Sequence, residues 1–132
     1  MAAVREFDTT RIVCSVSELA SSGCRGFAFG EGDWPLKGVA VLLANGEVRG
    51  YANWCPHQGH PLNLVPNKFL TPDGAALLCS SHGAIFARDN GLCLVGPCPG
   101  KSLRSIALVI ADGYVLLHPE VDIAAIAASI ER

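Results

Sequence analysis

The chain has 132 residues, half of them apolar and 17% charged, the size and composition of one compact domain with its own core rather than a disordered segment. A net charge of −2 leaves no basic footprint for nucleic acid or an anionic membrane surface. No run approaches the roughly 18 apolar residues that span a bilayer, and MAAVREFDTTRIV has no apolar core behind a basic stretch. Neither a membrane span nor a secretory signal is therefore expected.

The elements read as short strands separated by frequent turn signals. RIVCSV (11–16) and GFAF (26–29) are predicted strands, with a short helical turn around SELASS between them. KGVAVLLA (37–44), Asn45-Gly46 and EVRGYA (47–52) predict a β-hairpin, Asn-Gly supplying the two positive-φ positions of a type I′ turn. TPDG (71–74) turns the chain into AALLC (75–79). AIFA (84–87) and LCLV (92–95), joined through Asp89-Asn90-Gly91, predict another hairpin. SLRSIALVIA (102–111), Asp112-Gly113 and YVLLH (114–118) predict the last. The tail changes period. Ile123, Ile126 and Ile130 recur at helical spacing behind Pro119, Glu120 and Asp122, which predicts one helix over about 119–131 packed on the sheets.

Cysteine and histidine carry the chemical signal. Six cysteines and four histidines include one C-x-H, Cys55 and His57, and one C-x-x-H, Cys79 and His82. Random placement would supply each pair only about 0.2 times in a chain of this composition. Six cysteines would suit a disulfide framework in a secreted peptide. With no secretory signal, a reducing cytoplasm is the expected setting, where paired Cys and His are ligands. Each pair lies in a turn-like stretch rich in Pro and Gly, so two loops can face each other and present two thiolates and two imidazoles. Such a set suits zinc or an iron–sulfur centre. A zinc finger groups like ligands together, whereas each loop here mixes sulfur with nitrogen. A [2Fe–2S] cluster with two cysteines on one iron and two histidines on the other needs that mixed supply.

This double motif, with GPCP (96–99) further on, resembles the Rieske family. Its C-x-H…C-x-x-H pattern is matched by Cys55, His57, Cys79 and His82, and its covering proline loop by the stretch around Pro97. The resemblance spans most of the chain, leaving out the first eight residues and the terminal helix. It implies an all-β Rieske fold: antiparallel sheets forming a base domain with an inserted cluster-binding subdomain, plus the short C-terminal helix. The whole of 1–132 would be a single Rieske domain, with residues 52–98 or so as the subdomain, and would bind one Rieske-type [2Fe–2S] cluster.

Around the ligands, the resemblance places Gly59 and Gly83 where backbone approaches the cluster and offers amide donors. His60 would be a surface residue acting on the cluster's field. Pro61, Leu62 and Leu64 would surround the exposed ligand histidines with apolar surface for a transient partner. Two departures stand out. Where high-potential members carry a cystine, this chain has His60 and Ser81; where they carry serine and tyrosine donors, it has Ala84 and Phe86. Without hydroxyl donors to sulfur, the potential should fall near the low end of the family's range of about −150 to +300 mV.

The implied function is a soluble, cytoplasmic Rieske-type ferredoxin. It would take single electrons from a flavin-containing reductase and pass them to a ring-hydroxylating dioxygenase-type oxygenase, docking near His57 and His82. The alternatives are a small Rieske-like subunit of a nitrite-reductase-type enzyme and a zinc-stabilised interaction domain. The chain is not expected to be an enzyme by itself. Rieske oxygenases resemble it only in their N-terminal portion and need a further 2-His-1-carboxylate iron site, whereas His60 and His118 are isolated. Nor does it show a P-loop, a dinucleotide motif or a catalytic triad. Cys14, Cys24 and Cys93 read as core residues, and Cys98 as part of the covering loop.

Overall fold

A computed structural model of the chain describes residues 9–30, 36–54, 62–63, 68–79, 83–96 and 100–129. After a 3₁₀ turn at Thr9–Arg11, β1 (Ile12–Ser15) leads directly into α1 (Val16–Ser22). Ser15 begins that helix because its side chain accepts from the Glu18 N–H while the Glu18 carboxylate accepts from the Ser15 N–H. The Ser15 N–H and hydroxyl, both donating to the Glu18 carboxylate, together with Arg25 at 3.4 Å, hold that carboxyl below its ordinary range. Gly23, at φ +81°, ends the helix with its N–H on the Leu19 carbonyl.

Among the described residues, ten strands form three antiparallel sheets. The largest has the order β2 (Cys24–Phe29), β3 (Leu36–Leu42), β4 (Val48–Ala52), β8 (Ser105–Ile106). A second places β10 (Tyr114–Leu117) between β1 and β9 (Leu108–Ala111). The third is β5 (Ala76–Leu78), β6 (Ile85–Ala87), β7 (Cys93–Val95). All neighbours are antiparallel, as the hairpin signals predicted.

The two hairpins with matching dipeptides close differently. Asp112 (φ +53°) and Gly113 (φ +80°) form a two-residue loop between the paired Ala111 and Tyr114. The Asn45-Gly46 expectation is corrected. Only Gly46, at φ +88°, is left-handed; the Leu43 N–H reaches the Glu47 carbonyl and the Gly46 N–H the Leu43 carbonyl. The loop is therefore Ala44-Asn45-Gly46, and the Asn45 side chain caps it by accepting from the Glu47 N–H.

Two further boundaries differ from expectation. The run 102–111 is not one strand. Ser105–Ile106 pairs with β4, the Ala107 carbonyl takes the His118 N–H, and Leu108–Ala111 pairs with β10, so the chain changes sheets at Ala107. The last helix, α2 (Ile123–Ser129), starts four residues later than 119. His118 organises a turn first, its Nδ1 accepting from the Glu120 N–H and its carbonyl from the Val121 N–H. Asp122 then caps the helix through the Ala125 N–H.

Among the described residues, three cores fill the spaces between the layers. Leu19, Ala40 and Val115 pack α1 onto the sheets, and Val121, Ala127, Ile123 and Ile126 seat α2 against Leu36, Ile106 and Leu117. The third core joins the large sheet to β5–β7: Val39, Val41 and Tyr51 face Leu77, Phe86 and Cys79, with Leu62, Phe69 and Leu103 closing the sides. Each such aliphatic or aromatic side chain contributes about 1.5–3 kcal/mol by leaving water, so this core holds the smaller sheet to the larger.

Candidate metal centre

Of the four proposed ligands, Cys79 lies among the described residues; Cys55, His57 and His82 lie outside them. Cys79 follows β5 and is 1% exposed, a free thiol in the core that joins the two sheets. Its N–H donates to the Ala84 carbonyl at 2.8 Å, and its carbonyl accepts from the Gly83 N–H at 2.9 Å. These two bonds close the base of the C-x-x-H loop, with residues 80–82 between them. Gly83 holds φ +75°, a conformation that strains any residue with a Cβ, and among the described residues no atom approaches the place a Cβ would take.

Ala84 and Phe86 are both fully buried beside Cys79 in that core. The surroundings of the second loop are thus apolar and hydroxyl-free at both positions. Tyr51 is buried there too, but its hydroxyl donates to the Arg88 carbonyl at 2.7 Å. Burial pushes the Tyr51 phenol up to about 12, with nearby Arg49 opposing and Asp89 adding to the shift.

Gly96, just ahead of Pro97 in sequence, comes against Ala84, which closes the C-x-x-H stretch. Gly96 sits at φ +110°, and a Cβ there would stand 2.7 Å from the Ala84 Cα. Only glycine allows that approach. Pro97 and Cys98 lie outside the described residues, as do Gly59, His60, Pro61 and Leu64.

At the first loop the structure adds a residue and corrects another. Leu62, expected on an apolar docking surface, is fully buried in the core that contains Cys79. Its N–H donates to Asn53 Oδ1 at 2.7 Å, and Asn53 Nδ2 donates to Asn63 Oδ1 at 2.8 Å. Asn53 escaped the sequence reading because an asparagine behind a strand reads as a turn residue. The available signal was its place two residues ahead of Cys55, with a second asparagine at 63. Arg88, also unremarked, donates to the carbonyls of Gly23, Leu42 and Gly74. Cys14, Cys24 and Cys93 are buried free thiols, as expected, and burial pushes the Cys14 and Cys24 thiols up.

A family model for the Rieske [2Fe–2S] domain matches residues 9–114, and the chain belongs to that family. The domain implies one Rieske-type [2Fe–2S] cluster, and a buried, reduced Cys79 at the mouth of a closed hairpin suits a thiolate ligand. A search of curated proteins finds no match.

Among solved structures, the plasma-membrane Rieske protein PetC3 of Synechocystis PCC 6803 is 22% identical. It aligns over 81% of this chain and 97% of its own with a TM-score of 0.61. The ferredoxin of Sphingomonas yanoikuyae B1 is 24% identical over 81% of this chain and 94% of its own, at 0.57. The terminal oxygenase of carbazole 1,9a-dioxygenase from Novosphingobium sp. KA1 is 20% identical over 83% of this chain, at 0.60, but the match covers only 30% of the oxygenase. These similarities establish the fold. Among the described residues no helix is long and apolar enough to cross a membrane.

Proposed function

We propose that this chain is a cytoplasmic Rieske-type ferredoxin, carrying single electrons from a flavin-containing reductase to a ring-hydroxylating dioxygenase-type oxygenase. Cys55, His57, Cys79 and His82 are its ligands, and residues 52–98 or so form the cluster-binding subdomain of a single domain over 1–132. The observation that carries this reading is one shared core: Leu62, at the end of the C-x-H loop, and Cys79, at the start of the C-x-x-H loop, are buried in it together. Two loops rooted in one core can present their ligands to one site.

The bound cluster supplies one-electron redox chemistry. The chain's own residues set its conditions. The buried core keeps water from Cys79, and Ala84 and Phe86 offer no hydroxyl to sulfur, which favours a potential near the low end of the family range. Gly83 gives the second loop a left-handed turn that Ala84 closes. His57 and His82 are the proposed exit for the electron, with Gly59, His60, Pro61 and Pro97 around them. Transient docking of reductase and oxygenase there involves neither nucleic acid nor membrane. Four reduced cysteines, Cys14, Cys24, Cys79 and Cys93, suit a reducing compartment.

An anaerobic redox titration followed by EPR tests the reading. A Rieske-type signal with a midpoint near about −150 mV is the expected result. A midpoint above zero would remove the argument from Ala84 and Phe86. A colourless, EPR-silent protein after reconstitution would remove the electron-carrier role.

A further inference from the structure

Asn53 is the one buried polar side chain among the described residues, 8% exposed. Its backbone is tied to the large sheet, because its N–H donates to the Lys37 carbonyl at 2.9 Å. Its side chain works in both directions at once, accepting the Leu62 amide through Oδ1 and donating to Asn63 through Nδ2. Residues 54–61, which include Cys55 and His57, lie between these tied points. We propose that Asn53 is a positioning residue: its carboxamide latches shut the two ends of the C-x-H loop and so fixes the span across which Cys55 and His57 meet the core holding Cys79. This inference rests on Cys55 and His57 being ligands.

The latch and the core are coupled. Leu62 is fully buried among Cys79, Ala84 and Phe86, and its amide N–H is buried with it. Opening the latch would leave that N–H without an acceptor in an apolar core, or draw the Leu62 side chain into water. Either outcome costs more than a surface hydrogen bond. Tying both ends together also lowers the entropy cost of closing the span between Asn53 and Leu62. Few side chains can do this. Aspartate keeps the acceptor and loses the donor, whereas leucine keeps the volume and loses both.

The test uses the full-length, cluster-loaded protein and compares wild type with Asn53→Leu, Asn53→Asp and Asn63→Ala. Iron release to a chelator, the EPR spectrum of the reduced protein and hydrogen exchange over Leu62 are read well below the unfolding temperature. Asn53→Leu should release iron and exchange Leu62 at least tenfold faster, equivalent to about 1.4 kcal/mol. Its EPR spectrum should also change while exchange in β2, β3 and β4 does not. Asn53→Asp, keeping the acceptor for Leu62, should fall between the two, and Asn63→Ala should stay within about twofold of wild type. Wild-type release and spectrum in Asn53→Leu would overturn the proposal, as would acceleration matched equally across β2–β4. Should Asn53→Leu fail to fold, unchanged Leu62 exchange in Asn53→Asp would overturn it. A Cys55→Ser protein that keeps the wild-type EPR signal would instead refute the ligand assignment, with Leu62 protection unaffected.

Discussion

Replacing Arg88 with methionine should uncouple the small sheet from the large one. Arg88 follows β6, and its guanidinium reaches the Gly74 carbonyl at 2.6 Å, the Gly23 carbonyl at 3.3 Å and the Leu42 carbonyl. These belong to the turn before β5, the end of α1 and the end of β3, so one side chain spans three segments remote in sequence. Methionine keeps the apolar stem and removes every donor. The Gly23 carbonyl retains another partner, the Leu42 N–H at 3.1 Å, which leaves Leu42 and Gly74 as the acceptors that lose most. Bonds from a charged donor are worth about 1.5–3 kcal/mol each. Against that, Arg88 Nε is buried with no acceptor among the described residues, and removing it and the desolvated charge returns part of the loss. The net loss should be about 2–4 kcal/mol, or about 10 °C in Tm for a domain of this size. Arg88→Lys, with one compact donor group instead of a fork, should recover less than half. Urea and thermal unfolding of wild type, Arg88→Lys and Arg88→Met measure this. A methionine variant within about 0.5 kcal/mol of wild type would refute the reasoning.

Gly96→Ala meets both a left-handed φ and a contact of 2.7 Å with the Ala84 Cα, so it should cost about 2 kcal/mol or more in thermal unfolding and disturb the EPR spectrum. Tyr51 has its pKa raised from 10.0 to about 12, so folding favours its neutral form. That contribution is complete below pH 10 and is lost as pH rises towards 12. Tyr51→Phe, about 1 kcal/mol less stable at pH 7 for want of its bond to the Arg88 carbonyl, should therefore show a flatter loss of stability in alkaline urea titrations. Asp122→Ala should cost about 1 kcal/mol by uncapping the last helix, read by the same titration at pH 7. Ala84→Ser combined with Phe86→Tyr, which installs hydroxyls beside Cys79, should raise the midpoint potential by about 60 mV, a tenfold step in a one-electron equilibrium.

What the sequence revealed, and what it hid, divides along local against remote causes. Asp112-Gly113 read correctly because the turn's two residues are also the whole loop. Asn45-Gly46 carries the same kind of signal, but the pairing of Leu42 with Val48 leaves five residues between the strands, and register overrode turn propensity. The run 102–111 looked like one strand because no turn signal interrupts it and its apolar stretch IALVIA (106–111) is continuous. Its division at Ala107 depends on which sheet each half meets: the first half pairs with β4, far back in the chain, and the second with β10 across the next turn. The two Cys–His motifs stand out in the sequence for the opposite reason, since a metal centre would demand particular atoms at short spacings. The residues that brace those motifs carry no such demand. Leu62 read as part of an apolar docking surface, yet the Asn53 carboxamide holds its amide and the core takes its side chain. Arg88 drew no remark in the sequence, because the backbone carbonyls of Gly23, Leu42 and Gly74 that it binds leave no local trace. Chemistry in this chain is written in short spacings. The scaffold that aims it is written in contacts between segments tens of residues apart, and a single sequence leaves those contacts unmarked.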